Sequence, residues 1–167
     1  AAYAGAVTVV TAGGNFDNAD GNGISVFTGG AGSDTLSIVA DGNAIATANM
    51  ANVTKVETIA VTGTTASQSV ALHNNNATYT SSTSYQTVTM TSSLTTGSAT
   101  LDATAETDAK VVLTGSGGTG ADILIGSASS NLGDTITANA GNDVIKFATA
   151  NFTSADIVDG GAGTDTI

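Results

Sequence analysis

The chain has 167 residues, enough for one domain or two small ones, and sets 14 acidic residues against 3 basic ones for a formal net charge of −11. That balance excludes nucleic-acid binding, because no basic patch can neutralise phosphates, and it disfavours an anionic membrane surface. No run of about 18 apolar residues exists, so no membrane insertion is expected. With 41% hydrophobic residues, 4% aromatics and no Cys or Pro, the chain has neither disulfides nor thiolate metal sites, and its core must be built from small and β-branched side chains.

In chain order, Ala6–Thr11 (AVTVVT) reads as a strand, followed by the polar loop GGNFDNADGNG. In that loop Asn18, Asp20 and Asn22 alternate ahead of Gly23. Alternate oxygens before a glycine turn resemble the first half of a calcium loop, yet Gly29 stands where an EF-hand needs its final Glu. An EF-hand is excluded; a single calcium site at Asp20 and a plain Asx-turn loop both remain open. Ile24–Thr28 and Thr35–Val39 read as strands, and 41–55 as a short helix or an irregular loop.

From Val53 the residues alternate, with Val56, Thr58, Ala60 and Thr62 on one face and Glu57, Ile59 and Val61 on the other. Apolar residues on both faces predict a strand covered on either side. Further strands are predicted at Gln68–Leu72, Tyr85–Thr91, Ser98–Asp102 and Lys110–Thr114, with a polar loop between Leu72 and Tyr85 and a solvated turn over Glu106–Asp108. Separations of about twelve to seventeen residues suggest a β-solenoid or a sandwich rather than βαβ units.

Four segments share a nine-residue pattern, G-G-x-G-x-D-x-(aliphatic)-x. Gly29–Ser37 (GGAGSDTLS) and Gly117–Ile125 (GGTGADILI) fit it fully. Gly160–Ile167 (GGAGTDTI) fits as far as it runs, and Ala138–Lys146 (ANAGNDVIK) keeps the turn Gly, the Asp and the Ile. Glycines let carbonyls point inward without a Cβ clash, the Asp supplies a hard carboxylate, and the aliphatic residue two places on faces a core. This is the calcium-binding nonapeptide of parallel β-rolls, so Ca²⁺ is the expected cofactor. Nine residues separate Asp134 from Asp143 and Asp156 from Asp165. Twelve separate Asp122 from Asp134 and thirteen separate Asp143 from Asp156, so the phase is interrupted twice and enlarged turns are expected.

The phrases NVTKVETIAVTG and SATLDATAETDAKVVLTGSGGTGADILIG, with these nonapeptides, resemble the surface-layer (S-layer) proteins of Gram-negative bacteria, which carry RTX-type repeats and leave the cell by type I secretion. The resemblance covers 29–167 loosely and 115–167 well. It implies ligand carboxylates at Asp34, Asp122, Asp143 and Asp165, and turn carbonyls at Gly32, Gly120, Gly141 and Gly163. Asp134 and Asp156 match only the Asp-x-aliphatic end of the pattern. Asp159, ahead of a glycine pair, reads as a further ligand or as an acceptor of turn hydrogen bonds.

The expected fold is therefore all-β, a β-solenoid or parallel β-roll with calcium-binding Gly-Asp turns. A β-rich body over 1–114 precedes an interrupted roll over 115–167. No initiator Met is present and the chain stops inside a pattern copy, so it is expected to be part of a longer or processed protein. His73, the lone histidine, lies in a polar loop and is a poor catalytic candidate, and the acids that might pair for glycoside hydrolysis read better as ligands or turn formers. No enzymatic activity is expected. The expected role is a secreted structural component of the cell surface that assembles with copies of itself, with a cell-surface polysaccharide as a further partner. An RTX adhesin module, or the secretion region of an RTX enzyme, is the alternative.

Overall fold

The computed structural model describes residues 11–12, 27–30, 33–39, 44–46, 50–62, 67–76, 87–129 and 131–167. Its first strands are β1 (Thr11–Ala12), β2 (Phe27–Thr28), β3 (Thr35–Val39), β4 (Ala44–Ile45), β5 (Val53–Thr54), β6 (Thr58–Thr62) and β7 (Gln68–Ala71). There follow β8 (Thr87–Ser92), β9 (Ala99–Asp102), β10 (Lys110–Thr114), β11 (Ile123–Ile125), β12 (Thr135–Thr137), β13 (Val144–Lys146) and β14 (Ile157–Asp159). The strand expected at Ala6–Thr11 lies outside the described residues except for Thr11. Of the helix or loop expected over 41–55, the described residues hold the short strands β4 and β5 and one helical residue, Met50.

Among the described residues every strand pairing is parallel. One sheet runs β1-β3-β6-β8-β10-β12-β14, a second β13-β11-β9-β7-β4, and β2 pairs with β5. The chain thus winds as a β-solenoid, visiting the two large sheets in turn and adding one strand to each per coil. Neighbouring coils of such a ladder lie about 4.8 Å apart.

The two-residue period of a strand explains the core. In the first sheet Leu36, Ile59, Met90, Leu113, Ile136 and Val158 stand in register, each directly over the one before. In the second, Val70, Leu101, Leu124 and Ile145 do the same. Apart from the half-buried Val158 these side chains are buried, and burying each is worth about 1.5–3 kcal/mol. Outward positions in the first sheet carry Thr58, Thr89, Val112 and Thr135 in one rank and Thr91, Thr114 and Thr137 in the next, partly exposed. Threonine suits this position because its β-branch favours the extended backbone.

Two expectations are corrected here. β6 is not covered on both sides: Ile59 and Val61 are buried while Thr58, Ala60 and Thr62 are only half-buried. The interrupted phase is also resolved. Strands β11 and β13 belong to one sheet, β12 and β14 to the other, so consecutive Asp residues head strands on opposite sides. Acids that meet across neighbouring coils are 21 (Asp122, Asp143), 22 (Asp134, Asp156) or 22 residues apart (Asp143, Asp165). Both long gaps fall on the arc from the five-stranded to the seven-stranded sheet, and both nine-residue gaps on the return. The apparent breaks are the unequal arcs of one repeating coil.

Candidate metal centre

Asp34, Asp122, Asp134, Asp143 and Asp156 each stand just before a strand, with the side chain folded into the turn. The Asp122 carboxylate closes its own turn by accepting from Ser116 N–H at 2.5 Å and from the Ser116 hydroxyl at 3.1 Å. It also accepts from Ala99 N–H of the preceding coil at 2.7 Å. Asp134 repeats the pattern through Ser127 N–H at 2.7 Å and the Ser127 hydroxyl at 3.0 Å. Asp156 does so through Thr153 N–H at 2.6 Å, and Asp34 through Gly30 N–H at 2.7 Å.

Between coils the acids link into ladders. Asp122 N–H donates to Asp143 at 2.7 Å, and Asp143 N–H to Asp165 at 3.0 Å. On the other arc Asp134 N–H donates to Asp156 at 2.7 Å. Upstream, Asp34 N–H donates to Glu57 Oε2 at 2.8 Å. The sequence alone does not reveal Glu57 as a member, since no glycine pair precedes it; its only signal is the position 23 residues after Asp34, one coil on. Ser116 and Ser127, which grip the carboxylates, were missed for the same reason. Asp134 and Asp156, though poor matches to the pattern, occupy the same geometry as Asp122.

Seven glycines serve these turns in two ways. Gly29, Gly115, Gly126 and Gly160 stand where an added Cβ would lie within 2.6–2.9 Å of an Asp carboxylate oxygen, so the turn can close over its acid only without a side chain. Gly120, Gly141 and Gly163 instead stack on one another. A Cβ on Gly141 would meet Gly120 O at 2.3 Å, and one on Gly163 would collide with Gly141 O. Gly141 and Gly163 also hold φ of +153° and +145°, which other residues rarely adopt. The result is a file of turn carbonyls at one edge of the solenoid. There Thr119, Ala140, Gly141, Asn142, Ala162 and Gly163 line a shallow cleft.

The electrostatics call for a cation. Burial raises the Asp143 carboxyl above the ordinary carboxylate range, and the charges of Asp122 and Asp165 raise it further. Burial likewise raises Asp134, with the Asp156 charge adding to it and the Ser127 hydrogen bonds opposing. Asp143 Oδ2 and Asp34 Oδ1 are buried and accept no hydrogen bond. An orphaned carboxylate oxygen beside like charges fits a hard ion that prefers oxygen donors. Among the described residues no three acidic or histidine side chains converge on one point. A cation in these turns would therefore draw on main-chain carbonyls as well. The donors fit Ca²⁺.

The structure brings Asp122, Asp143 and Asp165 into one file with Gly120, Gly141 and Gly163. It places Asp134 with Asp156 on the opposite arc and Asp34 with Glu57 upstream. Asp20 and Gly32 lie outside the described residues. Asp159 accepts a turn hydrogen bond from Gly161 N–H at 3.0 Å.

Residues 19–37, 129–146 and 153–167 match the family described as the RTX calcium-binding nonapeptide repeat (4 copies). No curated protein and no solved structure matches the chain. The chain thus carries RTX calcium-binding repeats on a β-solenoid, a calcium-binding structural fold, and its cofactor is Ca²⁺.

Proposed function

We propose that this chain is a calcium-folded structural module of an extracellular bacterial surface layer or filament. RTX repeats are typical of type I secreted extracellular proteins, and they match here at 19–37 as well as at 129–146 and 153–167, rather than in one tail. That distribution along a solenoid is the observation that carries the reading, because it makes calcium a component of the whole scaffold. Asp122, Asp143 and Asp165, with the carbonyls of Gly120, Gly141 and Gly163, would hold ions on one arc. Asp134 and Asp156 would do so on the other, and Asp34 and Gly32 upstream, with Asp20 in the loop before them.

Calcium supplies positive charge that neutralises the acid ladders and joins adjacent turns. The chain's own residues do the rest: serine and glycine amides hold each carboxylate in its turn, and the aliphatic files register the coils. Metal binding then becomes folding free energy. A net charge of −11 repels like copies until calcium screens or bridges them, so assembly and folding share one trigger. Homo-oligomeric assembly at the cell surface, anchored on a polysaccharide, follows from this reading, and no catalytic role is part of it.

Negative-stain microscopy after calcium addition tests the proposal. Ordered arrays or filaments support it. A monodisperse monomer that binds glycans would transfer the chain to the adhesin reading, and a catalytic domain elsewhere in the same polypeptide to the RTX-enzyme reading.

A further inference from the structure

Glu106 follows β9 in the segment LDATAETDAK, which has no nonapeptide pattern. The solvated turn expected over Glu106–Asp108 is not what forms: Glu106 is buried, with 0% of its surface exposed. Stacking of the coils forces it in. Glu106 N–H donates to Ala103 O at 2.9 Å, and Glu106 O accepts from Ala128 N–H of the following coil at 2.8 Å. Thr107 ties the turn to the preceding coil, donating to Asn74 Oδ1 through its N–H at 2.7 Å and its hydroxyl at 2.6 Å.

Asn76 closes the equivalent turn one coil earlier, its N–H donating to His73 O. Its amide is fully used: Nδ2 donates to Met50 O and Val53 O, and Oδ1 accepts from His73 N–H. Glu106 is only half used. Its Oε1 accepts from Thr107 N–H at 3.0 Å and Asp108 N–H at 3.1 Å. Its Oε2 is buried without a partner, and so is Oδ1 of Asp108. The two carboxyl groups are within hydrogen-bonding reach of each other, and the Asp108 charge acts on Glu106. Two facing carboxylates removed from water are stable only if a proton or a cation lies between them.

We propose that Glu106 and Asp108 form a calcium site outside the nonapeptide turns, with Glu106 Oε2 and Asp108 Oδ1 as its carboxylate ligands. Calcium accepts six to eight oxygens and tolerates water among them, and the half-buried Asp108 side chain sets the site at the border of the solvent, with its two ligand oxygens buried. Asn76, a neutral amide with its own donors, meets the same position unaided; the doubly acidic turn needs a proton or a cation between its carboxyl groups. Burial pushes the Glu106 carboxyl up to about 7, with the Asp108 carboxyl adding to the rise and the Asp108 and Thr107 N–H groups opposing it. The site lies in the middle of the chain, outside the stretches 19–37, 129–146 and 153–167 that match the repeat family, and would clamp a turn that has no nonapeptide of its own to the coils on either side.

The test is calcium stoichiometry of the full chain by equilibrium dialysis at pH 8, for wild type, Glu106→Gln and Asp108→Asn. Each variant is expected to bind one ion fewer per chain, and the double variant no fewer than either single one. Asp122→Asn, in a nonapeptide turn, should lose a different ion, so its loss should add to that of Glu106→Gln. An unchanged ion count in both single variants would overturn the proposal and leave the pair sharing a proton. If Glu106→Gln does not fold, Asp108→Asn decides alone, because that half-buried side chain can be replaced without opening the core.

Discussion

Asp122→Ala removes an acceptor on which two buried main-chain donors depend. Ala99 N–H and Ser116 N–H both lose their partner, and the Ser116 hydroxyl loses one of its own. A buried donor left unpaired costs about 1–3 kcal/mol, so the two amides together cost roughly 2–6 kcal/mol before any ion is considered. Asp102 provides the control. It accepts from Thr104 N–H and its hydroxyl at an exposed turn, where water replaces the lost acceptor, and its removal should cost about 1 kcal/mol. Guanidinium unfolding followed by far-UV circular dichroism, at one fixed calcium concentration, measures both. Asp122→Ala should lose at least about 2 kcal/mol more than Asp102→Ala, and Asp122→Asn, which keeps one acceptor oxygen, should fall between. Equal losses in the two alanine variants would refute the assignment of Asp122 as the clamp of its turn.

Leu113→Ala, in the middle of the aliphatic file between Met90 and Ile136, should cost about 2–5 kcal/mol in the same assay. Gly141→Ala places a methyl 2.3 Å from Gly120 O at a φ of +153°, so calcium affinity by titration calorimetry should fall at least tenfold; an unchanged affinity would show that the carbonyl file is not part of the site. Asp108→Asn leaves Glu106 buried without its like charge. The folded Glu106 keeps its proton towards neutral pH while the unfolded chain releases it near 4.5, so this stabilisation is present at low pH and lost as pH rises. Denaturant midpoints of Asp108→Asn should fall between pH 5 and 8, by up to about 2 kcal/mol of stability, and those of the double variant with Glu106→Gln should fall less, keeping only the part that the raised Asp134 and Asp143 contribute.

The nonapeptide stretches made the strand-and-turn grammar legible. An Asp two residues before an aliphatic one gave both the turn and the inward position at Leu36, Leu124 and Ile145, and all three are buried. β6 alternates as expected, with Ile59 and Val61 inward, and only the cover expected on its second face is absent: Ala60 is apolar yet faces outward, because a small side chain costs little at the surface. What stayed hidden was three-dimensional adjacency. Asp134 and Asp143 are close in sequence but sit on opposite arcs, whereas Asp122 and Asp143 share a hydrogen bond across 21 residues. Local spacing cannot distinguish these cases until the length of a full coil is known. Glu57 and Glu106 were hidden for the same reason. Each is placed by the residue one coil away, which no short window contains.

The central claim is that calcium folds this solenoid. Far-UV circular dichroism of the full chain, read during calcium addition and again after excess EGTA, tests it most directly. The account predicts a strand spectrum that appears with calcium, disappears with EGTA and returns when calcium is restored. A strand spectrum that is the same in calcium and in EGTA, from protein shown by elemental analysis to hold no calcium, would contradict it.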